Sequence, residues 1–515
     1  MEITTEDYFG TIIKFDDAGD YIGLMNCVAG DRQDINIAIH AVYRLVNDNR
    51  VKAAYIIAKM FHNANIHHPI LQFSLAVGGI VFNDLGDVAN GNAILSAIMA
   101  QLPVDKQEVL YNEVMAKSLF RLTEGALVAG DDAKLMRILE ILKAGSPLFQ
   151  RLFDLSRVEP PYDAALMRQR GRERAKLIEF ALPPAGAPRV QRRAIVAVRN
   201  LFFPQMPNSR AFDVGPRFAK AMTSYGWNAT YHPMHWADLA AEFQAVVDAC
   251  VQEQADVLIF DDHVIEHPAS HEVRGAMIAQ LRQKLPGLKI VALHLDPWVI
   301  EPALMVYSGT TADAIWTIGP ALAVWETPAL AGRVLHAPFP IGGEPGLPVA
   351  PLPGRMVFTG AIKGYNWHRV FWRAASQEAG LPIDWALSHH VADGLSPLDS
   401  YGAYLRNLGE TGCSLNMSMR PNLRYSVTGR CFETLLSGAL LVQELCPDMD
   451  HYFVSGEHYL EFTSFADLRA IGEFLVANPG AAETVRRAGN AFVRARYSDD
   501  KLIGYLDKHL FYPGA

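Results

Sequence analysis

The 515-residue chain has few cysteines, no long apolar run and no surplus of positive charge. Cys27, Cys250, Cys413, Cys431 and Cys446 are scattered, odd in number and free of any C-x-x-C pair. That excludes a disulfide framework and a cysteine zinc site, and predicts a reduced, cytoplasmic setting. The longest apolar stretches, such as Leu75 to Phe82, fall far short of the roughly 20 residues a membrane helix needs. The opening MEITTEDYFG is acidic, without the basic-then-apolar order of a secretory signal, so neither export nor membrane insertion is expected. With 46 basic against 55 acidic side chains the net charge is −9, which gives no general attraction to nucleic acid or anionic lipid. What remains is an ordinary soluble composition, half apolar and one-fifth charged.

A chain this long exceeds one hydrophobic core and is expected to divide. From about Asp34 to Phe153 apolar residues recur at helical spacing, broken at NDN (47–49), HHP (67–69), NDLGD (83–87), LPVD (102–105) and AGDD (129–132). Polar turns at Asp48, Asp84 and Asp131, roughly 36 and then 47 residues apart, make residues 1–160 similar to a degenerate tetratricopeptide-type array; a plain helical bundle is the alternative. The Pro- and Arg-rich segment 161–193 is expected to be a linker.

The texture then changes. Strand-like runs at 194–200, 255–262, 288–296, 312–319 and 332–341 alternate with helical runs at 216–225, 236–254 and 271–285. A Pro/Gly cluster at 342–354 intervenes before alternation resumes from 355 to 515, with a closing helix near 500–511 that could cross back to the preceding unit. Such alternation predicts right-handed βαβ units and parallel, doubly wound sheets, hence two Rossmann-like domains, 194–341 and 355–515.

The densest chemical signal is SVTGRCFETLLSGALLVQE (426–444). A glycine and a polar helix start precede Glu433, then come Gly438 and an apolar strand. With SLN at 414–416, Arg430, Pro447, Phe453 and Ala488–Gly489, this pattern resembles group 1 glycosyltransferases of the GT-B fold, and within them the bacterial spore-maturation-type branch. The close resemblance covers about 355–500. It implies a nucleoside diphosphate sugar, UDP- or GDP-linked, as donor substrate, with no tightly bound cofactor and no metal. It also implies that Glu433 accepts hydrogen bonds from the donor ribose, a task suited to a group that offers only acceptors. The bland reading of Glu433 is a helix-start acid favoured by the dipole.

Other donor-site candidates follow from position. Arg430, with Arg420 and Arg424 before it, could neutralise a diphosphate at a helix N-terminus, or form a solvated basic loop. FTGAIKGYNWHR (358–369) lies where strand gives way to helix, so Gly360 would admit a phosphate and Lys363 and Arg369 would supply charge. Asn416 ends its strand at the sheet edge where ligands collect. The position eight residues before Glu433, acidic in many retaining group 1 enzymes, is Tyr425 here, which leaves donor-sugar recognition and stereochemistry open.

In the first Rossmann-like unit, HLDPW (294–298) and FDDHVIEH (260–267) end apolar strands. Asp296 is the leading general-base candidate and Asp262 the second, since a carboxylate near an acceptor hydroxyl can take its proton. Asp-Pro is equally a turn signal, and either Asp could cap a helix. His263, His294 and Arg217 are acceptor-binding candidates. Stacked helices in front of such a pair point to a protein or peptide acceptor or partner. The rivals are a GT-B-shaped nucleotide-sugar epimerase and a non-catalytic scaffold with a relic nucleotide site.

Overall fold

A computed structural model describes residues 5–30, 35–47, 50–64, 130–145, 147–199, 214–235, 237–262, 270–295, 302–341, 354–360, 367–386, 396–420 and 425–512, with isolated positions at 68, 71, 74–75, 97, 297 and 300. The turns at Asp48 and Asp84 that suggested a repeat lie outside these residues.

Helices α1 (Thr5–Ala18), α2 (Tyr21–Gly30), α3 (Ile35–Asn47) and α4 (Val51–Asn63) open the chain. They bury Ile12, Leu24, Val42, Leu45 and Ile57 in a core of their own. Helices α5 (Asp132–Gly145) and α6 (Pro147–Leu152) behave differently. Phe149 and Phe153 join the core of the last unit, edge-on to Phe371 at 6.4 Å in each case, and Phe153 lies 4.9 Å from Trp372. The front region therefore serves two cores.

The expected linker 161–193 is strapped to the last unit. Asp163 caps α7 (Ala164–Arg174) by accepting from the backbone N–H groups of Ala165 and Leu166. Arg172 pairs with Glu457 and Arg174 with Glu461, each at 2.7 Å. A Cβ on Gly171 would stand 2.3 Å from the Ser455 carbonyl oxygen, so the helix backbone lies directly on that turn. Beyond α7, Lys176 and Ile178 donate their N–H groups to the carbonyls of Asp450 and His451. The composition that suggested a linker is that of a strap held by ion pairs, backbone bonds and a few apolar anchors, Tyr162 against Phe474 and Phe180 against Tyr497 and Tyr505.

The first Rossmann-like unit contains β1 (Arg193–Arg199), α8 (Val214–Tyr225), β2 (Asn228–Met234), α9 (Leu239–Glu253), β3 (Val257–Asp261), α10 (Ser270–Lys284), β4 (Lys289–His294), α11 (Pro302–Thr311), β5 (Ala314–Thr317) and β6 (Val334–His336). Among the described residues its six strands are parallel in the order β2-β1-β3-β4-β5-β6. Strand β2 escaped the sequence reading because it is a polar edge strand, where Pro233 costs no ladder bond.

The second unit contains β7 (Met356–Thr359), α12 (Trp367–Glu378), β8 (Ile383–Ala386), α13 (Pro397–Glu410), β9 (Cys413–Asn416), α14 (Gly429–Leu436), β10 (Leu440–Glu444), β11 (Leu460–Phe462), α15 (Phe465–Ala477), α16 (Pro479–Arg496) and α17 (Asp499–Phe511). Among the described residues its five strands are parallel in the order β11-β10-β9-β7-β8. The expected two-sheet α/β plan is present, with a helical region in front. Each sheet reverses its winding beside its first strand, at β1/β3 and at β7/β9, and crevices form outside the carboxyl ends of strands at such points.

The closing helix does return to the first unit. Arg192 pairs with Asp507 at 3.0 Å, and Leu502, Ile503 and Leu506 share a core with Val196, Phe218 and Trp316. That same core takes in Tyr401, Phe432 and Tyr452 of the second unit, so the two units share one apolar junction.

Because Phe153 is fully buried against Trp372, Phe153→Ala is expected to cost about 3–5 kcal/mol. Urea unfolding followed by tryptophan fluorescence checks this. An unchanged midpoint would mean that α5 and α6 form no part of that core.

Candidate functional site

The winding of the second sheet reverses between β7 and β9, and the groups singled out near that point must be placed one by one. Strand β7 ends at Thr359, and Gly360 follows with φ +146, a backbone region favoured by glycine. A Cβ there would also stand 2.9 Å from Nη1 of Arg430. Arg430, in the first turn of α14, donates from Nη1 to Thr359 Oγ1 at 3.1 Å. A guanidinium, a glycine turn and the positive end of a helix thus meet at one sheet edge, an arrangement suited to an anion.

Glu433 lies one turn further along α14 and is 5% exposed. Tyr401 donates its hydroxyl to Oε1 at 2.8 Å and Tyr404 donates to Oε2 at 3.0 Å. Arg217, from α8 of the first unit, places Nη1 3.6 Å from Oε1 and donates to the Tyr401 oxygen at 2.8 Å. Arg217 is thereby joined to the donor-site candidates across the junction. Burial pushes the Tyr401 and Tyr404 hydroxyls up, with Glu433 adding to the effect, so both remain protonated donors at neutral pH. Neither tyrosine was singled out in the sequence, although their spacing of three on one helix puts them on a common face.

Asn416 needs correction as a donor contact. Its side-chain N–H₂ is turned inward, to Gln443 Oε1 at 2.7 Å, Cys431 Sγ at 3.3 Å and Thr428 Oγ1 at 3.4 Å, and so braces α14 on the sheet. Arg369 lies with Nη2 3.5 Å from the Met417 carbonyl and contributes favourable charge to Glu444. Glu444 Oε2 accepts the backbone N–H groups of Ser418 and Met419, both at 2.8 Å. Lys363 and Arg424 lie outside the described residues.

In the first unit, Asp262 is also corrected. Arg274 grips it from Nε to Oδ1 at 2.6 Å and from Nη2 to Oδ2 at 2.8 Å, and Ser308 donates to Oδ2 as well. Burial alone would raise its pKa, but Arg274 and His294 outweigh it and the carboxyl is held below the usual range. Asp262, Arg274, Ser308 and His294 have no exposed surface, so neither Asp262 nor His294 presents an atom to an acceptor. His294 Nε2 instead meets Ser308 Oγ at 3.0 Å. Asp296 and His263 lie outside the described residues.

Asp448 is a junction residue that sequence reasoning missed. Its Oδ1 accepts the Ala321 N–H of the first unit at 2.7 Å, and its Oδ2 the Val427 N–H just ahead of α14 at 3.4 Å. A cavity of ≈ 410 Å³ lies elsewhere, at the amino edge of the first sheet. There Asp313 pairs with Arg282 and Lys508 donates to the Tyr512 carbonyl, so protein groups already serve its polar lining. Among the described residues, no cluster of three or more His, Cys, Asp or Glu could hold a metal ion, and no helix is long and apolar enough to cross a membrane.

Residues 352–506 match a family profile described as glycosyl transferase-like. The glycosyl transferase-like segment takes in β7 through most of α17, and with them Gly360, Arg430 and Glu433. No curated protein matches the chain. Among solved structures it is similar to sucrose-phosphate synthase from Thermosynechococcus elongatus, at 11% identity and TM-score 0.43 over 63% of this chain and 100% of that one. It is also similar to HepE of Anabaena in complex with UDP and glucose, at 8% identity and TM-score 0.42 over 62% and 99%. A glycosyltransferase from Rickettsia africae follows at 8% identity and TM-score 0.41 over 62% and 98%.

Burial pushes the carboxyl of Glu444 up to about 7, against the pull of its two N–H partners, and that of Asp448 to about 6. A raised carboxyl pKa means that the folded state binds the proton more tightly than the unfolded one. Stability is therefore expected to fall as pH rises from about 4 towards 7. Glu444→Gln keeps an oxygen for both N–H groups but cannot titrate, so the slope between pH 5 and 7 should flatten in urea midpoints. An unaltered slope would assign the titration elsewhere.

Proposed function

We propose that the chain transfers a glycosyl group from a nucleoside diphosphate sugar, UDP- or GDP-linked, to an acceptor held between the two Rossmann-like units. The observation that carries this reading is the glycosyl transferase-like match over residues 352–506. The arrangement at the β7/β9 edge supports it. Arg430 and the N-terminus of α14 would neutralise the diphosphate, with Gly360 allowing close approach and Lys363, Arg369 and Arg424 adding charge. Glu433 would accept the ribose hydroxyls. Rate enhancement would come chiefly from alignment and from stabilising the leaving diphosphate.

With Asp262 closed off by Arg274, Asp296 is the general base in this proposal, taking the proton of the acceptor hydroxyl as the new glycosidic bond forms. His263 would hold the acceptor beside it. The front helices, with Ile22 and Met25 exposed on α2, would receive a protein or peptide acceptor or the partner that delivers it.

Calorimetric titration of UDP, GDP, TDP and CDP into wild type, Glu433→Gln and Arg430→Ala tests the donor site without knowledge of the acceptor. One nucleotide is expected to bind selectively to wild type. Each variant should weaken it about tenfold or more, as loss of a charge-assisted hydrogen bond implies. Absence of binding to all four would favour the non-catalytic scaffold.

A further inference from the structure

The donor reading treats Glu433 as a receiver of ribose hydroxyls, yet its carboxylate is already served by the protein. A carboxylate accepts through two oxygens, and each has a tyrosine O–H on it, 2.8 Å from Tyr401 and 3.0 Å from Tyr404. A ribose diol offers the same chemistry, a pair of O–H donors. The two phenols therefore stand where the two sugar hydroxyls would go, and Glu433, with 5% of its surface exposed, has little room for both pairs.

A guanidinium stands by each phenol, Arg430 of the same unit by Tyr404 and Arg217 of the first unit by Tyr401. Tyr401 accepts from Arg217 Nη1 at 2.8 Å, which fixes the direction of its own proton toward Glu433. The Arg217 guanidinium also lies over the Tyr401 ring, 4.2 Å from its centroid. Arg217 belongs to the first unit and further donates to the Pro340 carbonyl at 3.2 Å, just ahead of the 342–353 connection. Arg217, Tyr401, Tyr404 and Glu433 are each at least nine-tenths buried. A buried cation on one unit is thus tied to a buried anion on the other, through one hydroxyl and directly at 3.6 Å, and breaking such a contact without a replacement partner is costly.

We propose that Arg217, Tyr401 and Glu433 form a latch between the two units that the donor ribose opens by replacing the tyrosine hydroxyls on Glu433. The proposal rests on the donor-site reading given above. When the ribose takes Oε1, Tyr401 must turn away from Glu433, and Arg217, held to the Tyr401 oxygen and 3.6 Å from that same Oε1, must part from one of the two while keeping Pro340. Donor occupancy is thereby communicated to the acceptor-side unit at the start of the interunit connection. The latch also lowers apparent donor affinity, because only the unlatched fraction can bind.

The test uses the full chain as wild type, Arg217→Gln and Tyr401→Phe, with the four nucleoside diphosphates as probes. Both variants are expected to bind the preferred nucleotide about three- to tenfold more tightly than wild type. In wild type, that nucleotide should speed hydrogen exchange over Val214–Tyr225; in the variants exchange there should already be fast and indifferent to nucleotide. Tyr401→Phe keeps the ring beneath the guanidinium and so preserves the test if Arg217→Gln does not fold. Equal or weaker binding by the variants overturns the latch while leaving the donor site standing, and would make Arg217 and Tyr401 supports of the binding geometry. Slower exchange over Val214–Tyr225 on nucleotide binding to wild type would also overturn it. Absence of binding by all three proteins overturns the donor reading and the latch together.

Discussion

Among the described residues every strand pairing in both sheets is parallel, and a parallel sheet must be covered on both faces. Strand β1 shows how strictly this is met, with Ala194, Val196 and Val198 facing one core and Ile195 and Ala197 the other. The first of these cores is shared with the second unit. The need for cover explains why helices from distant parts of the chain are recruited. The closing helix packs against the first unit, and α5 and α6 complete the second.

Placement of polar groups follows from the same constraint. At the β7/β9 edge the side chains beside the sheet must be satisfied inside an apolar junction. Glu433 and Arg217 solve that problem through Tyr401, and Asp448 solves it by accepting N–H groups from both units. Asp262 solves it within the first unit by pairing with Arg274. The charges that hold the junction together are therefore neighbours of those proposed to hold the donor.

Much of this was legible in the sequence. Alternating apolar strands and amphipathic helices mark both sheets. Strand β11 was not legible, since three residues show no period. Nor was α11, whose PALMVYSGTT has a Gly and two Thr of low helix propensity at its end. Spacing placed Glu433, Arg430 and Gly360 together because they flank one sheet edge. It could not show that Asn416 turns inward or that Arg274, twelve residues along, closes Asp262. Those outcomes depend on which side chain reaches which across packed elements. Likewise, the apolar stripe of α5 and α6 announced a helix but not the core it joins.

The order in which the chain visits its cores has a consequence for biosynthesis. Helices α5 and α6 leave the ribosome well before the residues that cover them, Phe371 to Val485, with an entire Rossmann-like unit made in between. At about 5–20 residues per second, Phe149 and Phe153 wait on the order of ten seconds to a minute for their partners. During that interval the aromatic pair lacks its native partners Phe371 and Trp372. The nascent chain is then at its most vulnerable to self-association, and a holding chaperone would have its clearest target there.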